Sequence, residues 1–121
     1  MVSRYCVNES YTIKEVLEQF ESQNDRVAIV IDDNERVVGV VSQGDILRAL
    51  SAGADLYIPI RKITRCEFIH QYERKMREAY LIFKNKKITV LPIINHENKL
   101  VDVITLDDIF AYLEIMGTNE E

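Results

Sequence analysis

Two short patterns hold the residue types that could do chemistry, Ser42-Gln-Gly-Asp45 and Thr105-Leu-Asp-Asp108. In each, a hydroxyl follows an apolar run, and a carboxylate three residues on opens an amphipathic one. A strand hands over to a helix at such a point, and a helix N-terminus offers unpaired N–H groups and the positive end of the helix dipole. One reading is a helix cap, in which hydroxyl and carboxylate each accept a backbone N–H from the other's residue. The other is a ligand site. A carboxylate there can accept two hydrogen bonds from a vicinal diol such as ribose, as dinucleotide folds do. The hydroxyl and the helix N–H groups suit a phosphate or ribose oxygen. Capping alone does not require the same carboxylate twice, so the recurrence weighs towards a ligand.

Other chemistries find no footing. Asp107 and Asp108 are adjacent, so on a helix they diverge by ~100° and do not form a catalytic pair. His70 and His96 have no second ligand at metal spacing, and no metal site is expected. Cys66 and His70 lack an activating context for nucleophilic catalysis. No catalytic residues and no cofactor are expected, and the chain reads as something other than an enzyme. Lys84, Lys86 and Lys87 close a helix, where cations suit the dipole.

The elements that position the two patterns come in a repeating order. Thr12 with Glu15 is a capping box for a helix whose Ile13, Val16, Leu17 and Phe20 share a face. Residues 22–25 stop it. Val27–Ile31 is a continuous apolar, mostly β-branched run, as in a strand buried on both faces. Residues 32–35 form a turn and Val37–Val41 a second strand. The helix after Gln43 places Ile46, Leu47, Ala49 and Leu50 together and ends at Ser51–Gly53, with Gly53 as a left-handed cap. Residues 55–65, marked by Pro59, link the halves. A helix over about 73–86 then turns Met76, Ala79, Tyr80 and Phe83 inward. A strand over 88–94, a turn at 95–98, a strand over 100–104 and a helix over about 107–116 ending at Gly117 follow, with a frayed tail. A shift of 63 residues superposes the halves without a gap. Glu15 falls on Glu78, Phe20 on Phe83, Val27 on Val90, Ile31 on Ile94, Val38 on Val101, Asp45 on Asp108 and Leu50 on Leu113. A half this small buries little surface alone, so the halves should pack on each other and create two related crevices.

Composition sets the outer bounds. With 121 residues, 47% of them hydrophobic, the chain can bury one ordinary core. A net charge of −5 argues against a nucleic-acid footprint. No apolar run approaches the ~20 residues of a membrane span, and Met1–Arg4 is not followed by the core of a signal peptide. Cys6 and Cys66 lack metal-type spacing and read as reduced thiols of a cytoplasmic protein, with a disulfide or redox pair as the alternative.

Val38-Gly-Val-Val-Ser-x-x-Asp45, Val101-Asp-Val-Ile-Thr-x-x-Asp108 and the strand Thr89-Val-Leu-Pro-Ile-Ile-Asn95 resemble a tandem pair of cystathionine-β-synthase (CBS) domains over nearly the whole chain. More narrowly, Gly44–Ile60 is similar to the pair that precedes sugar-phosphate nucleotidyltransferase domains, and sugar-phosphate isomerases carry a similar pair. The resemblance implies an α+β fold of two β-α-β-β-α repeats with pseudo-two-fold symmetry, residues 1–56 and 57–121. It implies a regulatory module binding AMP, ADP, ATP or S-adenosylmethionine and controlling an attached or partner enzyme, with a homodimer formed through the helices. A ligand-free oligomerisation or scaffold module is the alternative.

Carried over by position, one crevice holds Val40, Ser42 and Asp45 with Phe68 and Thr89, and the other holds Val103, Thr105 and Asp108 with Tyr5 and Arg26. In each, the resemblance gives the aspartate the ribose hydroxyls; Phe68 and Tyr5 could stack on a base or simply cover the core. The pattern also departs from the family's. Asp102 stands where the first half has Gly39, and its carboxylate would repel a phosphate unless it faces solvent. Thr89 and Val90 stand where some relatives carry basic contacts, and Arg48 either compensates or is a surface charge. Ala28 and Ile29 replace a Pro-Val. Arg26 is the phosphate candidate of the second crevice, or else a charge at the strand edge.

Overall fold

The computed structural model describes residues 2–120, with side chains over 4–117. A 3₁₀ turn, Val2–Tyr5, leads into β1 (Cys6–Asn8), α1 (Ile13–Gln23), β2 (Val27–Ile31), β3 (Val37–Ser42) and α2 (Gln43–Ser51). The second half runs through a 3₁₀ turn at Ile60–Lys62 to α3 (Met76–Asn85), β4 (Val90–Ile94), β5 (Leu100–Thr105) and α4 (Leu106–Glu120). Two small sheets result, β1-β2-β3 and β4-β5. β1 lies parallel to β2; the β2/β3 and β4/β5 pairs are antiparallel. The mixed α+β class follows the expectation.

Local chemistry repeats as the sequence does. The Asp32 carboxylate accepts the N–H groups of Asn34 and Arg36 at 2.8 and 2.9 Å. Its counterpart, the Asn95 side-chain oxygen, accepts those of Glu97 and Lys99 at 2.9 and 3.0 Å. Each turn then needs a left-handed residue, Glu35 and Asn98, both at φ 64. Each sheet carries a bulge at the same place, Val30/Ile31 and Ile93/Ile94. The two turns meet: Arg36 pairs with Lys99, and the Val37 N–H donates to the Asn98 carbonyl at 2.7 Å. Thr12 and Glu15 form the expected capping box on α1, and Gly53 supplies the positive φ after α2.

Three apolar clusters hold this frame. The first packs α1 and α2 on one face of the first sheet through Ile13, Val16, Phe20, Ala28, Val30 and Ile46. The second packs Ala79, Phe83 and Ile109 on Leu91, Ile93 and Ile104. The third lies between the repeats and joins Ile29, Val37, Ile94 and Val103, with Tyr5, Val40, Phe68 and Val90 around them. β2 sends Ala28 and Val30 to one cluster and Ile29 to another, which explains its unbroken apolar run.

The structure departs from expectation in four places. The second repeat keeps no first strand: only Gln71 pairs there, as a single parallel bridge to Ile93. Its position-for-position counterpart of the buried Val7 is His70, whose ring packs between Phe68 and Tyr72 rather than entering the core. α3 begins at Met76 rather than 73, with Lys75 as an N-cap that makes no side-chain bond. α4 passes through Gly117 to Glu120, where an end at Gly117 and a frayed tail were expected. Finally, a boundary after residue 56 cuts through packing: Ile60 is fully buried in the first cluster, with Ile58 and Ile63 against it. The Ile60 N–H donates to the Tyr11 carbonyl at 2.6 Å and that of Ile13 to Ile58 at 3.1 Å. In packing terms the first unit runs on to Ile63.

Candidate functional site

Two clefts open between the repeats, one beside each strand-to-helix turn. In the first turn, the Ser42 hydroxyl accepts the Asp45 N–H at 3.1 Å, and Asp45 Oδ2 accepts the Ser42 N–H at 2.8 Å. In the second, Thr105 Oγ1 accepts the Asp108 N–H at 3.2 Å, and Asp108 Oδ2 accepts that of Thr105 at 2.9 Å. Both patterns are therefore reciprocal caps. Each aspartate also meets an arginine from the segment that joins the repeats. Arg65 Nε stands 3.2 Å from Asp45 Oδ2, and Arg48 donates to Asp45 Oδ1 at 2.6 Å. Arg74 reaches Asp108 Oδ2 at 3.5 Å and donates to Asp102 Oδ2 at 2.9 Å. Asp45 is the more enclosed, its side chain 8% exposed against 37% for Asp108. Burial pushes the Asp45 carboxyl up, but the bonds from Ser42, with Arg48 and Arg65, outweigh it and hold the group below its usual value.

Cleft 1 has a volume of about 410 Å³, within the range of small-molecule sites. Its apolar wall includes Val40, Phe68, Ile69, Ile88 and Pro92. Its polar side is Ser42, Gln43, Gly44 and Thr89, with Arg26, Arg65 and Lys87 as the charged groups. Cleft 2, about 320 Å³, is lined by Tyr5, Asn24, Thr105 and Leu106 and by the charged Arg4, Asp25, Arg26 and Asp107. Arg26, Val27, Thr89 and Val90 line both.

The clefts thus bring together Val40, Ser42, Phe68 and Thr89 in one place and Tyr5, Arg26 and Thr105 in the other. Asp45, Asp108 and Val103 stand behind the lining, the aspartates in their caps and Val103 in the inter-repeat core. Arg26 is shared instead of belonging to the second crevice alone. Arg48 is spent on Asp45, and Asp102 on Arg74. Gly39 has a purely steric reason. A Cβ there would overlap the Arg65 carbonyl oxygen and lie 2.6 Å from Thr64 Cγ2, because the connecting segment crosses β3 at that point.

Three cations escaped the sequence reading: Arg65, Arg74 and Lys87. A signal for Lys87 was present. Shifted by 63 residues it falls on Asn24, beside Arg26, so the repeat predicts that Lys87–Thr89 lines one cleft as Asn24–Arg26 lines the other. Arg65 and Arg74 have no such signal, since the connecting segment is the part of the chain the repeat does not describe. Among the described residues no cluster of His, Cys, Asp and Glu could hold a metal ion. No helix is long and apolar enough to cross a membrane.

Known proteins share this arrangement. The AcuB protein of Vibrio cholerae superposes with a TM-score of 0.82 at 20% identity, over 96% of this chain and 87% of that one. The cytosolic domain of the Mg2+ channel MgtE, in complex with ATP, superposes with a TM-score of 0.72 at 25% identity, over 91% of this chain and 45% of that one. A CBS domain protein of Pyrobaculum aerophilum complexed with AMP gives 0.72 at 24% identity, over 91% and 90%. In sequence, a 17.7 kDa protein of Acidianus ambivalens is 29% identical over 106 residues, 87% of this chain. The chain spans 64% of that protein and 26% of the magnesium transporter MgtE of Thermus thermophilus, to which it is 25% identical. CBS pairs are nucleotide-binding regulatory modules, generally without catalysis of their own. The CBS domain model matches residues 1–52 and 68–115, one stretch in each half, and the chain belongs to the CBS domain family.

Proposed function

We propose that this chain is a cytoplasmic regulatory module that binds an adenine nucleotide, or S-adenosylmethionine, between its repeats and so biases an attached or partner enzyme. The observation that carries the reading is cleft 1. It sets an apolar wall with an aromatic ring, Phe68, across from a helix N-terminus, with Arg26 and Lys87 at the polar side. That combination suits a flat base at one end and a phosphate at the other. In this reading Val40 and Phe68 hold the base, while Ser42, Thr89, Arg26 and Lys87 receive the phosphate. Asp45 turns to the ribose once Arg65 moves aside; Tyr5, Thr105, Asp108 and Val103 serve cleft 2. The similarity of Gly44–Ile60 to nucleotidyltransferase-associated pairs keeps a sugar-phosphate nucleotidyltransferase as a candidate for the regulated enzyme. Calorimetric titration and thermal unfolding with AMP, ADP, ATP and S-adenosylmethionine test the reading. A ligand at ~100 times its Kd should add about 2.7 kcal/mol to stability. No heat and no shift with any of the four would end it.

A second reading is a homodimeric scaffold in which both aspartates are caps and nothing more. It draws on the saturated Asp45 and on Leu47, Phe110 and Ile115, apolar helix side chains that are 57%, 55% and 64% exposed. Dimer formation with silent titrations would favour it. A monomer by sedimentation would remove it.

A further inference from the structure

The clefts are symmetric in position and opposite in charge. Three pairs of equivalent lining residues differ in the same sense. Lys87 of cleft 1 corresponds to Asn24 of cleft 2, Ile88 to Asp25 and Gly44 to Asp107. Each exchange makes cleft 1 more positive by one charge. The charged groups lining cleft 1 are all cations, Arg26, Arg65 and Lys87. Asp45 lies just behind, but Arg48 and Arg65 both pair with it and leave a surplus positive charge. Among the described lining residues of cleft 2, Arg4 and Arg26 face Asp25 and Asp107, and Arg4 is already bound to Asp25 at 3.3 Å. Arg26 is thus the one cation of cleft 2 not paired with a lining carboxylate, and it lines cleft 1 as well.

We propose that the pair divides its ligands by charge: cleft 1 takes the phosphate-bearing nucleotide, and cleft 2 takes an adenosine compound without phosphate, neutral or cationic. The inference rests on the reading that the clefts bind adenine ligands. Arg26 enforces the division. A phosphate in cleft 1 draws its guanidinium across, which leaves Asp25 and Asp107 of cleft 2 opposed by Arg4 alone. A second phosphate then meets a net negative lining. A nucleoside or a sulfonium-bearing adenosyl group does not.

Calorimetry on the full chain at low ionic strength tests this with AMP and adenosine as probes. AMP should bind with one equivalent per chain at least tenfold more tightly than any second equivalent. Adenosine should still bind to AMP-saturated protein. Lys87→Gln should weaken AMP at least tenfold and leave adenosine binding to cleft 2 unchanged. Asp25→Asn with Asp107→Asn should admit a second AMP of comparable affinity, and circular dichroism would confirm that this variant is folded. Two equal AMP sites in the wild type would overturn the division while leaving nucleotide binding intact. A Lys87→Gln variant that binds AMP as the wild type does would overturn it too. Binding of neither probe would overturn both the division and the reading beneath it.

Discussion

Replacing Gly39 by alanine is a sharp test of why the two repeats differ at equivalent positions. The family resemblance ties this glycine to a ligand-bearing turn, whereas the structure ties it to the connecting segment. Thr64 and Arg65 cross β3 at Gly39, and the Val40 and Arg65 backbones bond each other twice, at 3.0 and 3.1 Å. A methyl group would overlap a backbone carbonyl oxygen there, which cannot swing aside as a flexible side chain could. Two responses are open. If the segment stays, the strain of overpacking costs about 1–3 kcal/mol. If it lifts, two backbone bonds at about 0.5–1.5 kcal/mol each are lost, again about 1–3 kcal/mol. The molecule takes the cheaper route, and the reduced freedom of the unfolded chain returns about 0.5–1 kcal/mol. The expected net loss is about 1–2 kcal/mol, or a fall in Tm of about 4–8 °C for a chain of this size. Asp102→Ala is the internal control at the equivalent site. It removes only a half-exposed ion pair with Arg74, for which about 0–1 kcal/mol is expected. Urea unfolding of both variants, followed by circular dichroism, measures the difference. If Gly39→Ala is as stable as the wild type, or Asp102→Ala loses as much, the steric account of the asymmetry is wrong.

The depressed Asp45 carboxyl predicts acid sensitivity. A group whose folded value lies below its unfolded one, near 3.9, stabilises the fold above that pH and loses its contribution as pH falls through the folded value. Asp45→Asn should therefore show a flatter decline in unfolding free energy below about pH 4 than the wild type; parallel curves would count against the cluster with Ser42, Arg48 and Arg65. Burial, with Glu35 nearby, pushes the Cys6 thiol up to about 11, while Cys66 is exposed. Iodoacetamide at pH 8 should alkylate Cys66 and spare Cys6, whose thiolate fraction is about one in a thousand; equal labelling in the folded protein would contradict this. Leu91→Ala should cost about 2–5 kcal/mol in urea unfolding, because Leu91 is fully buried in the second cluster. Leu47→Ala, at a 57% exposed position, should change the stability of the monomer by no more than about 0.5 kcal/mol.

Much of the fold was legible because its physics is local. The apolar run Val27–Ile31, the capping box at Thr12 and the turn residues Asp32 and Asn95 each dictate structure within a few positions. The 63-residue repeat then fixes the second half from the first. Legibility fails where one copy has been exchanged for something local rules do not price. His70 in place of Val7 leaves a single bridge instead of a strand, because the ring finds Phe68 and Tyr72 rather than a core. Ile60 follows Pro59 in a stretch that reads as a linker, yet it is as buried as any core residue. The site divides the same way. Side chains one or two positions from a turn, such as Ser42 and Thr105, can be placed from sequence. Which arginine reaches a carboxylate 20 residues earlier or 34 later, as Arg65 and Arg74 do, depends on the path of the connecting segment.

That path bears on how a bound ligand could move anything. Both motif aspartates are held by arginines of the segment between the repeats, so a ribose diol at Asp45 would compete with Arg65 before it competed with water. The pair itself resists weakly. The Arg65 side chain is 61% exposed, and ion pairs with an exposed partner contribute about 0–1 kcal/mol. A ligand can shift an equilibrium only by its difference in affinity between two states. Releasing Arg65's side chain alone therefore biases the repeats by about fivefold at most, a small signal for a regulatory module. A larger one requires the backbone to follow, with the two Val40–Arg65 bonds breaking and the segment lifting from Gly39. Those bonds raise the energy separating the two arrangements by about 1–3 kcal/mol, and a ligand that opens them must supply that difference. Gly39→Ala supplies part of it in advance. The same substitution that lowers stability should thus tighten any ligand whose binding displaces the segment. If affinity is unchanged while stability falls, the segment stays in place when the cleft fills.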